Sequence, residues 1–403
     1  MDFSLDETHQ LYQRTVREFC DANLAPIART IDTEERIPRG LLSSMGQLGM
    51  LGVMIPQQYG GPGGTTVMAT IGAEEVGRAD VSMATAVYYL LCTGWSSLLA
   101  AHGSAACKQR VLPKVASGEW FLGIATTEPS GGSDIAAMRT TAVDKGDHYL
   151  LNGTKLFISG GTEAAAHGGG HLTLARTSAP PSEEKGHLGL TLMYVDAGAP
   201  GVTVTRQTNM GRMGISTCEL RYQDVRVPKD QVVGKADKGF LTLMEGFSTA
   251  RILVAAACVG CAERFLELGM EYVKQREAFG RPIAKFEGIQ FPLVDHWSRV
   301  QMVRDQIYKA AWMTDAHRAE GRFDLNEISK VVAIGKLWAP QYAADVARDV
   351  MTWFGAAGYT TDYELEMGLR GILSYVVGAE GALNVMRVIM ARELLGKEFL
   401  PYR

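Results

Sequence analysis

The hydrophobic period of this chain changes twice, and those changes constrain its fold more than any other feature of the sequence. Over residues 1–119 apolar side chains recur at helical spacing, most clearly in 7–22. Over 120–234 they occur in short runs rich in β-branched and aromatic residues, separated by turn signals such as Asn152-Gly153. From 235 onward the helical spacing returns in long stretches with few interruptions.

This order predicts an α+β protein built from three domains. The last segment favours a bundle, because several long helices that follow one another must bury their apolar faces against each other. We expect those helices near 239–275, 286–320, 324–353 and 380–396. The predicted domains are an N-terminal α-helical domain (1–119), a central β-barrel or β-sandwich domain (120–234) and a C-terminal four-helix bundle (235–403).

Charge and hydropathy exclude two classes of partner. The 403 residues contain 40 Lys and Arg against 44 Asp and Glu, so the basic surface that nucleic-acid binding requires is not expected. The acidic, polar N-terminus lacks the features of a signal peptide. No uninterrupted apolar run reaches the roughly 18 residues of a membrane span. We therefore expect a cytoplasmic protein without a nucleic-acid or membrane partner.

The cysteines and histidines predict no metal site. The six cysteines are scattered, which is typical of free thiols in a reducing compartment. Cys258 and Cys261 form a Cys-x-x-Cys, but they lie among small residues and have no second pair to complete a zinc site. His167 and His171 flank a glycine run without further ligand-like neighbours, so we expect a flexible surface loop there.

The segment 81–101 is apolar almost throughout, with Tyr88, Tyr89, Leu91 and Trp95 among its side chains. A helix that is apolar on all faces is buried. It is either plain core, which is the default, or one wall of an apolar ligand pocket.

Residues 124–134 combine four hydroxyl side chains with the adjacent glycines Gly131 and Gly132. Backbone N–H groups and short donors can therefore converge there on a polar or anionic ligand. The segment lacks the Walker and Rossmann glycine patterns. A nucleotide-like cofactor site and an ordinary turn built on Glu128-Pro129 both remain open at this point.

Four motifs follow one another along the chain. They are Thr-Glu-Pro-Ser-Gly-Gly-Ser-Asp at 127–134, Leu-Asn-Gly-Thr-Lys-Leu-Phe-Ile-Ser-Gly at 151–160, Asp-Val-Arg-Val-Pro at 224–228, and Arg-Glu-Ala-Phe-Gly-Arg-Pro-Ile at 276–283 followed by Phe286 and Gln290. On these motifs the chain resembles the acyl-CoA dehydrogenase family of flavoproteins over essentially its whole length. The resemblance implies an acyl-CoA dehydrogenase-like fold.

The same resemblance implies FAD as cofactor, with a site shared between subunits. Arg276 and Phe279 match residues that reach the FAD of a neighbouring subunit, and Gly355 and Asn384 complete that shared part. A shared site implies a homodimer or, commonly in the family, a homotetramer. Taken alone, Arg276 could be a solvated helix charge, but its place in the Arg-x-x-Phe-Gly motif favours the functional interpretation. Within the subunit the implied FAD residues are Ile124, Thr126, Thr127, Gly132, Ser133, Phe157 and Ser159.

The reaction implied by the resemblance needs a base that removes the proton α to a thioester carbonyl. Counting back from 391–396 places that glutamate at Glu380, whereas counting forward from Tyr359 ends on Ala379, so we infer a one-residue insertion near 375–378. The position where some family members carry the base instead is Ala250 here. The alternative role for Glu380 is that it caps the last helix.

The resemblance further implies a substrate site formed by Ser133, Tyr88, Leu91, Arg251 and Gly381. Several positions depart from the family pattern, including Ala379, Ala382 and the 213–216 stretch. The small residue at 379, together with the aromatic side chains of 81–101, favours a short, branched or cyclic acyl group.

The function implied is α,β-dehydrogenation of an acyl-CoA by an FAD-dependent acyl-CoA dehydrogenase, with electrons passed to an electron-transferring flavoprotein. Four alternatives stay open. The same site could work as an enoyl-CoA reductase or as a 1,4-dehydrogenase of a cyclic enoyl-CoA. It could belong to a relative that uses oxygen. It could also bind acyl-CoA without catalysis.

Overall fold

The helical, then strand-rich, then helical order predicted from the sequence is confirmed. A computed structural model describes residues 4–182 and 185–400 of the chain. Helices form up to residue 116, strands dominate from 121 to 233, and long helices follow from 239. The first and last helical groups share one buried apolar core, so the sheet docks onto a common helical body.

Among the N-terminal helices, α5 is the one that is buried on nearly every face. The first of them begins behind an N-cap, where the Asp6 carboxylate accepts a hydrogen bond from the His9 backbone N–H at 2.8 Å. The helices are α1 (Glu7–Asn23), α2 (Ala28–Thr33), α3 (Arg39–Gln47), α4 (Thr66–Ala79), α5 (Ala84–His102) and α6 (Ala105–Ala116).

Helix α5 is long and apolar enough to cross a membrane by length and composition alone. In this fold, however, 83% of its most apolar window is buried inside the protein. Its hydropathy is therefore accounted for by packing against the other helices and the sheet.

The middle of the chain forms one sheet with the strand order β6-β7-β3-β2-β4-β5-β8, and β1 pairs in parallel with β4. Among the described residues of this segment, one short α-helix, α7 (Gly161–His167), interrupts the strands. The strands are β1 (Phe121–Ala125), β2 (Thr141–Asp144), β3 (His148–Ser159), β4 (Gly169–Arg176), β5 (Leu190–Asp196), β6 (Val202–Gln207), β7 (Thr217–Pro228) and β8 (Val232–Val233).

The prediction of a flexible surface loop at 167–171 is wrong. Gly169 and His171 begin the buried strand β4, and the His171 ring bonds the Ser159 carbonyl oxygen at 3.0 Å. The glycines are required for packing, because a Cβ on Gly169 would lie 2.0 Å from the Phe121 oxygen. The glycine run therefore lets strands approach closely rather than making the chain flexible.

The C-terminal helices agree with the predicted spans to within a few residues, with one addition. That addition is α11, which was not predicted and which leads into the segment containing Glu380. The elements are α8 (Gly239–Gln275), the hairpin strands β9 (Glu277–Ala278) and β10 (Arg281–Pro282), α9 (Glu287–Glu320), α10 (Leu325–Phe354), α11 (Leu365–Val377) and α12 (Leu383–Leu395).

Small residues let α8 pack tightly against α4. A Cβ on Gly260 would lie 1.9 Å from the Glu74 carbonyl oxygen, and one on Gly77 would lie 2.2 Å from the Ala257 oxygen. Cys258 and Cys261 are fully buried beside this crossing. Their role is the tight helix packing that the small-residue run predicted.

Candidate active site

A cleft of about 720 Å³ opens where the sheet meets α5, α8 and α11. It brings together residues that are far apart in the sequence, from Val87 to Val385. Most of the residues singled out from the sequence line it. They are Leu91, Ile124, Thr126, Thr127, Gly132, Ser133, Phe157, Ser159, Arg251, Glu380 and Gly381.

The loop that follows β1 is held from behind by a buried ion pair. The Lys155 ammonium donates to a Glu128 carboxylate oxygen at 2.9 Å and to the Thr126 carbonyl oxygen at 3.2 Å. The same carboxylate accepts from the backbone N–H groups of Arg139 and Thr140 at 2.7 and 2.9 Å. This frame fixes Thr126 and Thr127 at the edge of the cleft and joins two of the four sequence motifs.

An irregularity in β3 turns Phe157 into the cleft. The register with β7 shifts between Lys155 and Ile158, and Phe157 adopts a left-handed φ of 60°. Its ring is 64% exposed. A β-bulge re-aims a side chain at the expense of local backbone strain. The result is a flat aromatic surface presented to a ligand.

Glu380 lies in an unusual stretch between α11 and α12. Ala379, Glu380 and Gly381 all have left-handed φ values, of 55°, 53° and 109°. The Arg251 guanidinium holds this stretch, because its Nε donates to the Glu380 carbonyl oxygen at 2.9 Å. The α12 N-cap is Ala382 and it has no side-chain cap, so Glu380 does not serve as one.

The pKa of Glu380 is raised to about 7, because burial disfavours its charged form. Arg251 and Lys336 lower that pKa but do not offset burial. The Trp95 indole N–H lowers it slightly without forming a hydrogen bond of normal geometry. Glu380 is the one carboxylate among the residues that line the cleft, within the described part of the chain.

Lys336 is a residue of this site that the sequence reasoning missed. Its ammonium is fully buried under the α11 terminus and donates to the carbonyl oxygens of Tyr375 and Gly378 at 3.2 and 3.0 Å. Burial lowers the pKa of this lysine to about 8. The available signal was a lysine in the apolar run around 331–340. Arg212 and Phe247 also line the cleft and were missed.

The wall contributed by α5 differs from the prediction at one position. Leu91 lines the cleft together with Val87 and Leu90. Tyr88 does not, because its ring turns to the sheet and packs edge-on against Phe121, with 5.2 Å between ring centroids. Helical periodicity places Tyr88 on a different face of α5 from Val87, Leu90 and Leu91.

The residues expected to reach a neighbouring subunit are not among those that line the cleft of their own chain. Phe279, 96% exposed, borders an open groove of about 590 Å³. Arg276 precedes the hairpin beside it, and Gly355 ends α10 with a φ of 61°. Asn384 is exposed on α12.

No group of three or more His, Cys, Asp and Glu side chains within 4–182 and 185–400 is arranged to hold a metal ion.

Comparison with known families gives three matches in chain order. Models of the N-terminal, middle and C-terminal domains of acyl-CoA dehydrogenases match residues 6–119, 123–225 and 237–395. Together they cover almost the whole chain.

Individual relatives agree with these models. "Probable acyl-CoA dehydrogenase YngJ" of Bacillus subtilis is 32% identical over 396 residues, covering 98% of this chain and 100% of that one. "Acryloyl-CoA reductase (NADH)" of Anaerotignum propionicum is 33% identical over 398 residues, covering 98% and 96%.

A solved structure described as "Electron transferring flavoprotein of Acidaminococcus fermentans: Towards a mechanism of flavin-based electron bifurcation" superposes with a TM-score of 0.90 at 33% identity. The match covers 98% of this chain and 100% of that one. The chain therefore belongs to the acyl-CoA dehydrogenase family, whose members are FAD-dependent oxidoreductases acting on the CH–CH bond of acyl-CoA thioesters.

Proposed function

We propose that this chain is an FAD-dependent acyl-CoA dehydrogenase that forms the α,β double bond of an acyl-CoA, with Glu380 as the base. The observation that carries the proposal is the environment of Glu380. It is a carboxylate with a pKa near 7, and it lies in the cleft opposite the strands that carry the predicted cofactor residues. A base poised near the working pH is suited to proton abstraction next to a thioester carbonyl.

The cleft residues fit FAD by their chemistry. Phe157 offers an exposed ring to a flat heterocycle, and Thr126, Thr127 and Ser159 offer hydroxyl and backbone groups at the same edge. In this assignment Ile124, Gly132 and Ser133 complete the cofactor wall. When bound, FAD supplies the acceptor for the hydride that leaves the β-carbon.

The side chains of this protein contribute one proton transfer to the reaction. Glu380 takes the proton from the α-carbon, and Arg251 keeps the carboxylate in place through the Glu380 backbone oxygen. Burial makes the charged carboxylate a stronger base than it would be in water. The apolar wall of Val87, Leu90 and Leu91 keeps water from the reacting carbons.

We propose a short, branched or cyclic acyl group as the substrate. The support is a pair of large aromatic side chains close to Glu380. Trp95 is fully buried and packs edge-on against Phe247, with ring centroids 5.4 Å apart. Two aromatic side chains close to the base favour a compact acyl group over a long straight chain. In this assignment Leu91, Arg251, Gly381 and Ser133 contact the substrate, and Tyr88 acts through packing.

A second candidate is reduction of an enoyl-CoA. It is favoured by the relative described as an acryloyl-CoA reductase, which is 33% identical over almost the whole chain. The same proton site serves both directions, because Glu380 with a pKa near 7 can also donate. Bleaching of the flavin by a cyclic enoyl-CoA would instead assign a 1,4-dehydrogenase. A catalytically silent acyl-CoA-binding flavoprotein is a further outcome of the test below.

We propose a homotetramer in which Arg276, Phe279, Gly355 and Asn384 complete the FAD site of another subunit. The support is the exposure of aromatic side chains: Phe279 is 96% and Tyr359 is 88% exposed. Exposed apolar clusters of this kind mark contact surfaces.

For the electron acceptor we propose an electron-transferring flavoprotein, since the description of one structural relative names such a protein. A cytoplasmic location fits the buried free thiols at all six cysteines.

The test of the proposed function is an anaerobic titration of the purified yellow protein with a panel of acyl-CoAs, followed by flavin absorbance. Bleaching by one short, branched or cyclic thioester is the expected result. Bleaching only by long straight-chain thioesters would contradict the substrate proposal. Absence of bleaching, with reoxidation of the reduced protein by enoyl-CoAs, would assign a reductase. Absence of both would indicate a silent binding protein.

The rate of flavin reduction should depend on pH with a midpoint near the pKa of Glu380, about 7. Only the deprotonated carboxylate accepts a proton, so the rate constant should rise with pH below the midpoint and level off above it. Single-turnover absorbance measurements from about pH 5 to pH 9 at saturating acyl-CoA would show this. A rate constant that falls as pH rises through this range would contradict the base assignment.

A further inference from the structure

Lys336 on α10 is a buried cation without a carboxylate in direct contact. Its side chain is fully shielded from solvent, and within residues 4–182 and 185–400 it forms no ion pair. Burying an ammonium group is costly unless nearby groups compensate its charge. A methionine would fill a similar volume without that cost. Packing alone therefore does not account for a lysine here, and its role depends on its hydrogen-bond donors or on its charge.

The donors of Lys336 close the C-terminal end of α11. The carbonyl groups in the last turn of a helix have no amide partner within that helix. The Lys336 ammonium donates to one of them, that of Tyr375, at 3.2 Å, and to the Gly378 carbonyl oxygen just beyond the helix at 3.0 Å. The negative end of the helix dipole favours a cation at the same place. The ammonium therefore fixes the point at which the chain leaves α11.

The segment that follows is strained and carries the proposed base. Ala379, Glu380 and Gly381 are consecutive residues with left-handed φ values. Such strain persists only where the surroundings fix the backbone. Lys336 binds this backbone two residues before Glu380, and the Arg251 Nε binds it at the Glu380 carbonyl oxygen. Two cations from different helices, α10 and α8, thus hold the backbone from which the Glu380 side chain projects.

The charge of Lys336 acts on the same residue. The ionisable groups that influence this lysine are Cys258 and Arg251 on α8 and Glu380. Burial raises the pKa of the Cys258 thiol far above neutrality, so this thiol stays uncharged, and Arg251 is itself a cation. Among these groups, within the part of the chain that the structure describes, Glu380 is the one that can supply a negative charge at neutral pH. In turn, Lys336 lowers the pKa of Glu380.

We propose that Lys336 is a positioning residue for proton abstraction, which caps α11 so that the Glu380 carboxylate points into the cleft. This deepens the proposed function and rests on it. Lys336 is not among the residues that line the cleft, so it acts through the Gly378 backbone and through its charge. Loss of its donors should misdirect the carboxylate. Loss of its charge should make the carboxylate harder to ionise.

The experiment measures proton abstraction alone, with phenylacetyl-CoA and the oxidised holoenzyme in D2O. This thioester has acidic α-hydrogens, but its β-carbon carries no hydrogen, so no hydride can leave. Glu380 should remove an α-proton, exchange it with the solvent and return a deuteron to the same carbon. Mass spectrometry of the thioester follows this exchange from about pH 5 to pH 9. The variants are Lys336→Met, Lys336→Gln and, as a control, Lys309→Met, which removes an exposed lysine of α9.

Lys336→Met should lower the exchange rate constant at neutral pH by about 100-fold, the scale on which a misplaced catalytic group slows a reaction. The midpoint of its pH profile should rise above the wild-type value of about 7, because the cation that lowers the pKa of Glu380 is gone. Lys336→Gln keeps N–H donors without the charge, so it should retain part of the rate and show the same rise in midpoint. The Kd of phenylacetyl-CoA should stay unchanged, and Lys309→Met should exchange like the wild type.

A midpoint that stays at the wild-type value in the Lys336 variants would overturn the assignment. A lysine that only stabilises the helices would affect stability and FAD content without changing the pKa of the base. Lys336→Gln keeps donors for the α11 cap, so the test does not depend on whether Lys336→Met folds.

Glu380→Gln in the same series separates this inference from the proposed function. If Glu380→Gln stops the exchange while the Lys336 variants match the wild type, only the role of Lys336 is refuted. If Glu380→Gln exchanges as fast as the wild type, or if the wild type binds the thioester without exchange, the proposed base is wrong and the role of Lys336 falls with it.

Discussion

Replacing Glu380 with Gln is expected to slow the reduction of the flavin by an acyl-CoA at least about 1,000-fold, since general-base catalysis contributes on this scale. The amide keeps the size of the side chain and removes its ability to accept a proton. Arg251 holds the backbone of residue 380 rather than the carboxylate, so the loop should keep its conformation. The measurement is anaerobic single-turnover reduction followed by flavin absorbance, at an FAD content equal to that of the wild type.

Two controls sharpen this prediction. Glu245→Gln, an exposed carboxylate of α8, should leave the rate unchanged. A double variant, Ala379→Glu with Glu380→Ala, moves the carboxylate one residue back to the position reached by counting forward from Tyr359. It should remain inactive, because the left-handed residues 379 and 380 present their side chains in different directions. Activity in the double variant would mean that the register is wrong.

Replacing Glu128 with Gln is expected to destabilise the protein by about 3–5 kcal/mol and to lower its FAD content. Lys155 is fully shielded from solvent and Glu128 is its ion-pair partner at 2.9 Å. Removing one member of a buried pair leaves the other charge without compensation, which is strongly destabilising. The loop that holds Thr126 and Thr127 would lose its support at the same time. Chemical denaturation of the apoprotein and the FAD-to-protein ratio measure the two effects.

Two further variants of this chain serve as controls for Glu128→Gln. Adding Lys155→Met to Glu128→Gln should recover part of the lost stability, because the uncompensated ammonium is then gone. Glu119→Gln removes a carboxylate from the exposed pair with Lys114 and should cost no more than about 1 kcal/mol. A Glu128→Gln protein as stable as Glu119→Gln would show that Lys155 is neutral in the folded protein.

Much of the fold was predictable because hydrophobic period is a local property. Helix α8 was expected at 239–275 and forms at Gly239–Gln275. Helix α11 was missed, since Gly368 and Gly371 interrupt its pattern as loop residues would. The structure explains both glycines by contact: a Cβ on Gly368 would meet the Phe265 ring, and one on Gly371 would meet the Ser82 carbonyl oxygen.

The candidate site was predictable where a motif keeps its residues close together in sequence. The 124–134 and 151–160 motifs both reach the cleft, as the resemblance implied. Tyr88 was misplaced because an all-apolar helix gives no signal of which face points where. Lys336 was missed although it lies in an apolar run, because a lysine on a helix is usually a surface cation. Nothing near Arg212 in the sequence distinguishes it from a surface cation.

The sequence by itself determined the order of the elements, the family and the set of side chains available for chemistry. Only the tertiary structure decided what those side chains can do. The pKa of Glu380 is raised to about 7 because long-range packing buries this side chain, while Arg251 and Trp95, which distant helices contribute, lower that pKa in part. Glu128 supports the loop that follows β1 because Lys155, on β3, forms an ion pair with it. Desolvation and charge pairing depend on neighbours in space, and a pattern along the chain does not specify those neighbours.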